Sequence, residues 1–222
     1  MASQPATRFG LGMRSLSLTG RVGLFGGTFN PLHNAHVRVA RSAFEQLGLS
    51  SVLFIPNGIP PHKGPLQGID PEDRYRMVCA AIRGCKEFAV SRIEIDREGP
   101  SYTIDTIRAL EDDYGQGICF IVGADRLLDI TTWKEPEALL RSVPFVIAPR
   151  KGVSVSAFDS SPFDAAQVRF LDMEEVDLSS SWVREKIVRG EDIGKWVPPD
   201  VATYIAQNGL YRNRELSGIR SA

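Results

Sequence analysis

Two histidines stand three residues apart shortly after a pair of glycines, and these residue types could bind phosphate. A short apolar run ends at Gly26 and Gly27, and a tight turn then leads to His33 and His36. The pattern predicts a strand, a glycine turn and the start of an amphipathic helix. Unpaired N–H groups and the helix dipole make such a helix start an anion site. Residues at i and i+3 share a helix face, so both imidazoles can point at one bound group.

A zinc site is the main alternative for His33 and His36, and ordinary surface histidines are another. The only other histidine is His62, and no cysteine is near in the sequence, so a zinc ligand set is incomplete. The sequence contains neither the P-loop pattern nor the dinucleotide-binding glycine pattern. The glycine-rich helix start therefore favours phosphate binding of another kind.

Three serines, Ser179, Ser180 and Ser181, form the second candidate phosphate site together with Arg184. Serine hydroxyls commonly satisfy the unpaired N–H groups at a helix start, so the serines alone would be an ordinary cap. Arg184 lies one helical turn further, on the face that the capping end reaches. Hydroxyl groups and a guanidinium at a helix start can together clamp a pyrophosphate.

Short apolar runs alternate with helical periodicity along most of the chain. Strands are predicted at 21–25, 51–55, 88–95, 117–122, 144–148 and 168–171, and helices at 36–47, 70–84, 101–114, 179–190 and 201–207. This alternation predicts an α/β fold with a doubly wound, mostly parallel sheet flanked by helices. Ligands bind such sheets beyond the carboxyl ends of the strands, where the strand order reverses. We expect the histidine turn at that edge.

The 222 residues, 43% of them hydrophobic, predict one domain at 21–212. Residues 1–20 are expected to be a disordered extension, with a transit peptide as the alternative, and residues 213–222 a flexible tail. Residues 149–166, rich in serine, aspartate, glycine and proline, are expected to be a mobile surface loop.

The charges nearly balance, with 26 lysines and arginines against 27 acidic residues. We therefore expect no nucleic-acid partner and no acidic membrane surface. No apolar run approaches the length of a membrane span. Cys79, Cys85 and Cys119 form no C-x-x-C pair, which is typical of thiols in the reducing cytoplasm.

Six segments together resemble the bacterial nicotinate-nucleotide adenylyltransferase family, which belongs to the nucleotidyltransferase superfamily with a histidine-x-glycine-histidine signature. The segments are GGTFNPLHNAH (26–36), IPNGIPPHK (55–63), GPSYTIDT (99–106), FIVGAD (120–125) with TTW (131–133), SSSWVR (179–184) and YIAQNGLY (204–211). The resemblance implies a Rossmann-like nucleotidyltransferase fold. Two positions depart from the pattern: Ala35 stands where glycine is usual, and Ser181 stands where threonine is common.

The resemblance implies a role for each matching residue. On the ATP side these are His33, His36 and Arg184 as catalytic groups on the phosphates, and Gly26, Gly27, Thr28, Phe29, Gly123, Asp125, Ser179, Ser180 and Ser181 as binding residues. On the side of nicotinate mononucleotide they are Asn57, Lys63, Tyr102, Thr103, Trp133 and Arg150. Asn57 is expected near the reacting phosphate. The backbone at Tyr102 and Thr103 is expected to receive the nicotinate carboxylate, and Trp133 to stack on the pyridine ring. A core position for Trp133 and a helix-cap role for Asp125 are the alternatives.

The implied reaction transfers the adenylyl group of ATP to nicotinate mononucleotide in NAD biosynthesis and releases pyrophosphate. Mg²⁺ is expected to arrive on the ATP phosphates, with no protein metal site. Preference for nicotinamide mononucleotide is one alternative, and phosphopantetheine adenylyltransferase is another. A nucleotide sensor or RNA-binding protein that keeps the fold without catalysis is a third. Association with further copies of the chain is left open.

Overall fold

A six-stranded parallel sheet with helices on both faces forms the centre of the protein. The computed structural model describes residues 17–61, 69–114, 117–175 and 177–212. The strands are β1 (Val22–Gly27), β2 (Ser51–Pro56), β3 (Phe88–Val90), β4 (Ile118–Gly123), β5 (Phe145–Ala148) and β6 (Val168–Phe170). The helices are α1 (Asn34–Leu47), α2 (Pro71–Ala81), α3 (Thr103–Tyr114), α4 (Ala124–Leu128), α5 (Pro136–Ser142), α6 (Ser180–Val188) and α7 (Pro199–Gln207).

The strand order is β3-β2-β1-β4-β5-β6, with every neighbouring pair parallel. The chain moves outward from β1 in one direction and then returns to its other side at β4, so the order reverses between these two strands. A crevice forms at the carboxyl end of a sheet where the order reverses in this way. The predicted doubly wound α/β fold is confirmed.

The sheet is buried on both faces because its short strands are rich in apolar residues on both sides. Successive side chains of a strand point to opposite faces. Phe25 accordingly packs in one core cluster with Ala40 of α1, whereas Leu24 packs in another with Ile107 of α3. A parallel sheet covered by crossover helices requires this double burial.

Local signals set the ends of the first two helices. The Asp70 side chain accepts a hydrogen bond from the backbone N–H of Glu72, with Pro71 at the first helical position of α2. Gly48 ends α1 in the left-handed region at a φ of 60°, where glycine has no side chain to clash.

The structure differs from the sequence prediction in several elements. β3 ends at Val90 instead of residue 95, because the next residues fold into a turn in which the Arg92 carbonyl accepts hydrogen bonds from two later N–H groups. The short helices α4 and α5 were not predicted. The prediction of a surface loop at 149–166 is wrong for Phe158 and Phe163, which are buried in the core. Leu18 is also buried, ahead of the predicted domain start at residue 21.

Some predicted features lie outside the described residues. These are residues 1–16 of the expected extension, the tail at 213–222, His62 and Lys63. Within the described ranges, no helix is long and apolar enough to cross a membrane.

The residues after α7 fasten the chain to the loop that follows β1. Tyr211 is 1% exposed, and its hydroxyl donates a hydrogen bond of 2.6 Å to Oδ1 of the buried Asn30. We expect Tyr211→Phe to lower the free energy of unfolding by about 1–3 kcal/mol, because it leaves a buried amide oxygen without that donor. Denaturant unfolding measures the change. Tyr114→Phe, at a 42% exposed tyrosine, is the matched control, and equal effects of the two variants would contradict the assignment.

Candidate active site

One cavity of about 830 Å³ lies at the carboxyl ends of the central strands. Residues from the predicted ATP side and the predicted mononucleotide side line it together. The lining residues that the sequence predicted are Gly26, Gly27, Thr28, Phe29, His33, His36, Asn57, Tyr102, Thr103, Gly123, Asp125, Trp133, Arg150, Ser180, Ser181 and Arg184. Gly26 and Gly27 belong to the end of β1 itself, so the strand carries the glycine pair to the cavity edge.

His33 and His36 stack on each other at the start of α1. Their ring centroids are 3.7 Å apart and their planes are 23° from parallel. The backbone N–H of His33 donates a hydrogen bond of 3.2 Å to Nδ1 of His36. The hydrogen of a neutral His36 ring therefore lies on Nε2, so the ring offers a donor there.

Both imidazoles are neutral in the free protein. Burial lowers the pKa of His33 to about 3, and the positive charge of Arg150 adds to this shift. Burial, the neighbouring His33 and Arg150 hold the pKa of His36 well below its usual value. Uncharged imidazole can still donate a hydrogen bond to a phosphate oxygen. A bound polyphosphate would favour the protonated form, because an anion nearby raises the pKa of a base.

The start of α6 is fixed against the loop after β1. The Ser180 hydroxyl donates to the Pro31 carbonyl at 2.9 Å, and Nη1 of Arg184 donates to the Asn30 carbonyl at 2.8 Å. Nη2 of Arg184 also donates to the Ser181 hydroxyl at 3.1 Å. These bonds bring the predicted arginine and serines to the same cavity as the histidines.

Ser179 has a different place from Ser180 and Ser181. Its hydroxyl accepts the backbone N–H of Trp182 at 3.2 Å, which makes it the N-cap of α6. It is not among the residues that line the cavity. Ser179 is therefore an ordinary helix cap, which is the alternative that the sequence analysis gave for the serines.

Asp125 and Arg150 form an ion pair of 3.1 Å across the ends of β4 and β5. Nη1 of Arg150 also donates to the Leu178 carbonyl at 3.3 Å, just before α6. Asp125 is not the cap of α4, since that position belongs to Gly123. Arg150, predicted on the mononucleotide side, thus lies beside Asp125 and the approach to α6, both predicted on the ATP side.

Aromatic residues also line the cavity, among them Trp133 and Tyr102. Trp133 is half-buried and packs edge-on against Phe120, with ring centroids 6.4 Å apart. Tyr102 lies just before α3, and the Lys134 ammonium is 5.0 Å from its ring centroid. Lys134 is also 2.9 Å from the Asp105 carboxylate in the first turn of α3. Trp133 therefore both contacts the core and lines the cavity.

Sequence reasoning missed three charged residues of this cavity, Glu94, Arg126 and Lys134. Glu94 is 6% exposed and accepts a hydrogen bond of 2.7 Å from the Thr106 hydroxyl. Burial raises the pKa of the Glu94 carboxyl. In the sequence, the one signal that Glu94 could belong to the site is its position close to the GPSY segment at 99–102. In the described parts of the chain, no three histidine, cysteine, aspartate or glutamate side chains gather as a metal site.

The lowered pKa of His33 predicts a pH dependence of stability. Below its unfolded pKa of about 6.5 the unfolded chain binds a proton that the folded protein excludes, so stability falls with pH until about 3. Between pH 7 and pH 5 the free energy of unfolding should fall by about 2 kcal/mol because of His33. Denaturant unfolding of His33→Gln at both pH values should therefore show a loss of stability that is smaller than that of the wild type by this amount. An identical drop in both proteins would contradict a neutral buried His33.

Comparison with known proteins identifies the family of the chain. A family model described as cytidylyltransferase-like matches residues 24–186. A protein of Moorella thermoacetica named "probable nicotinate-nucleotide adenylyltransferase" is 37% identical over 214 residues, which cover 93% of this chain and 98% of that protein. A protein of the same name from Rubrobacter xylanophilus is 40% identical over 199 residues, covering 86% of this chain and 92% of that protein.

A solved structure has the same fold at lower sequence identity. It is the nicotinic acid mononucleotide adenylyltransferase of Plasmodium falciparum in complex with NaAD, with a TM-score of 0.72 and 19% identity. The match covers 88% of this chain and all of that one. With two relatives of 37% and 40% identity over nearly their whole lengths, the chain belongs to the nicotinate-nucleotide adenylyltransferase family of cytidylyltransferase-like nucleotidyltransferases.

Proposed function

We propose that this protein transfers the adenylyl group of ATP to nicotinate mononucleotide, giving nicotinate adenine dinucleotide and pyrophosphate in NAD biosynthesis. One observation carries the proposal. A single cavity is lined by the histidine pair at the start of α1, by Arg184 from α6 and by the half-buried Trp133. It therefore combines donors for phosphates with an indole surface for a flat aromatic ring.

ATP binds at the side of the cavity nearest α1 and α6. The Nε2–H of His36, the His33 ring, Arg184, Ser180 and Ser181 receive its phosphates, and Gly26 to Phe29 lie against the nucleotide. Gly123 and Asp125 contact the ribose. Arg150 is assigned here as well, because it is paired with Asp125 and bonded to the Leu178 carbonyl next to α6.

Nicotinate mononucleotide binds at the aromatic side. Its pyridine ring stacks on Trp133, and its carboxylate accepts hydrogen bonds from the backbone at Tyr102 and Thr103, where α3 begins. Asn57 lies near its reacting phosphate. The Lys134 ammonium is held by Asp105 at 2.9 Å, so the backbone donors are the groups best placed to recognise the carboxylate.

The reaction is an in-line displacement at the α-phosphorus of ATP. An oxygen of the mononucleotide 5′-phosphate forms the new bond to phosphorus, and the bond from the α-phosphorus to the β-phosphate oxygen breaks. The attacking phosphate has a second pKa of about 6 and is already mostly dianionic at neutral pH. No general base is required. The protein aligns the two anions and stabilises the charge that grows on pyrophosphate.

Mg²⁺ enters as part of the substrate, the MgATP complex. Mg²⁺ keeps several waters and is often held by substrate phosphates with few protein ligands. Asp125, a carboxylate on the ATP side, is already paired with Arg150. The three cysteines are free thiols, which supports a reducing, cytoplasmic location for this reaction.

Pyrophosphate release with MgATP and each mononucleotide tests the proposal. We expect turnover with nicotinate mononucleotide to exceed turnover with the amide, and the dinucleotide to form in equal amount to pyrophosphate. Faster turnover with the amide would overturn the substrate assignment.

His36→Ala should keep the far-UV circular dichroism of the wild type but lose at least about 10²-fold in turnover, the effect of removing one preorganised donor. Near-normal turnover of His36→Ala would remove this histidine from the mechanism.

The stacking role of Trp133 predicts a selective loss of mononucleotide affinity. Trp133→Ala should raise KM for the mononucleotide at least about fivefold, since stacking on an aromatic ring contributes roughly 1–3 kcal/mol, and change KM for ATP little. Trp196→Ala is the matched control, because Trp196 is 38% exposed and packs on Trp182, and neither of these tryptophans lines the cavity. Equal changes of both KM values in Trp133→Ala would contradict the stacking assignment.

A further inference from the structure

A buried arginine lies beneath the two loops that carry the phosphate side of the cavity. Arg74 of α2 is 1% exposed. Its Nη1 donates to the Thr28 carbonyl at 3.0 Å and to Oδ1 of Asn57 at 2.9 Å, and its Nη2 donates to the Gly58 carbonyl at 2.8 Å. One guanidinium therefore joins the loop after β1 to the loop after β2. Arg74 itself is not among the residues that line the cavity.

The charge of Arg74 is retained although its surroundings disfavour it. Its three acceptors are uncharged oxygen atoms, and its buried Nε has no hydrogen-bond partner in the described residues. Burial lowers the pKa of Arg74 to about 10, so the side chain is still protonated at neutral pH. A buried cation is costly compared with an apolar side chain of similar volume. Packing alone does not require an arginine here.

Arg74 determines which way the amide of Asn57 faces. A guanidinium can only donate hydrogen bonds, so the atom of Asn57 that contacts it must be the oxygen Oδ1. The NH₂ group then lies on the other side, where it donates to the Thr28 hydroxyl at 3.3 Å. Both Asn57 and Thr28 line the cavity. The asparagine consequently presents N–H donors, and not an acceptor oxygen, to an anionic ligand.

We propose that Arg74 is a positioning residue for adenylyl transfer. It acts through Asn57, whose donor face it turns toward the phosphates, and through Thr28, whose carbonyl it turns away from them. This inference rests on the proposed function for its reaction and on the hydrogen bonds of Arg74 for its geometry. Preorganised donors near the developing charge are a main source of catalysis in such sites.

A double-mutant cycle tests the action through Asn57. Arg74→Lys keeps the charge, but one ammonium cannot hold all three acceptors in the fork geometry. We expect Arg74→Lys and Asn57→Ala each to lower kcat at least about tenfold, and to lower kcat by a larger factor than they raise KM for the mononucleotide. The double variant should be within about threefold of the slower single variant. Losses that multiply, or a normal kcat in Arg74→Lys, would overturn the proposal.

Control measurements separate positioning from general damage to the fold. Thermal unfolding of each variant reports stability, which a merely structural role would lower without the non-additive loss in kcat. Arg108→Lys is the matched control, since Arg108 makes a surface ion pair with Glu135 outside the cavity. It should leave kcat within about twofold of the wild type.

Asn57→Asp tests the donor assignment directly. The carboxylate gives Arg74 a charged partner, so the unfolding midpoint should equal or exceed that of Asn57→Ala. Turnover should nevertheless fall below that of Asn57→Ala, because an anion replaces the donor that faces the phosphates. An Asn57→Asp variant more active than Asn57→Ala would overturn the proposal.

ATP affinity by calorimetry distinguishes this inference from the assignment of the second substrate. We expect MgATP to bind more weakly to Asn57→Asp than to Asn57→Ala, whichever mononucleotide the enzyme accepts. If the wild type failed to use nicotinate mononucleotide but this order of affinities held, the substrate assignment would fall and Arg74 would keep its role. The reverse order would overturn the role of Arg74 even in an enzyme with the proposed activity.

Discussion

The cavity depends on where the carbonyl oxygens of the loop after β1 point. A loop that receives a polyanion has to present N–H groups to it, so its carbonyl oxygens need donors elsewhere. The carbonyl of Gly27, the last residue of β1, accepts a hydrogen bond from the Asn57 backbone N–H. The loop carbonyls of Thr28, Asn30 and Pro31 accept hydrogen bonds from Arg74, Arg184 and the Ser180 hydroxyl, respectively. These donors come from the loop after β2, from α2 and from α6. The loop can therefore take this shape only when the sheet and both helices are assembled, which couples the geometry of the site to the whole fold.

The neutral state of the histidine pair follows from the same burial. Two stacked imidazolium rings 3.7 Å apart would repel each other in a poorly solvated place, and Arg150 adds further positive potential. The free protein therefore keeps both rings as dipolar donors and leaves the positive charge to the arginines. In the proposed complex, the negative charge of MgATP would compensate part of that penalty and stabilise hydrogen bonds from the rings. Under this proposal, charge stabilisation by His33 and His36 is a property of the complex more than of the free enzyme.

The sequence predicted those parts of the site that depend on local order. The histidine pair, the glycine pair and the serine turn all precede or begin helices, so their place at the carboxyl edge follows from the strand-helix alternation. Arg74 and Glu94 could not be found in this way. An arginine in a helix is normally a solvated surface residue, and the depth of Arg74 is set by loops 16 and 46 residues away. The pair of Asp125 and Arg150 likewise joins the ends of two different strands. Contacts of this kind depend on the packed topology and leave no periodic signal.

The distribution of charge explains how a chain of net charge −1 can bring two polyanions together. The starts of α1, α3 and α6 all contribute residues to the same cavity. Each helix start carries roughly half a positive charge within its first turn. These fixed dipoles act at short range in a poorly solvated space, whereas a basic surface would attract anions of every kind and be screened by salt. The acidic residues that line the cavity are paired or shielded, Asp125 by Arg150 and Glu94 by the Thr106 hydroxyl, and the nearby Asp105 is paired with Lys134. Local orientation of donors, and not overall charge, therefore makes the cavity suitable for nucleotides.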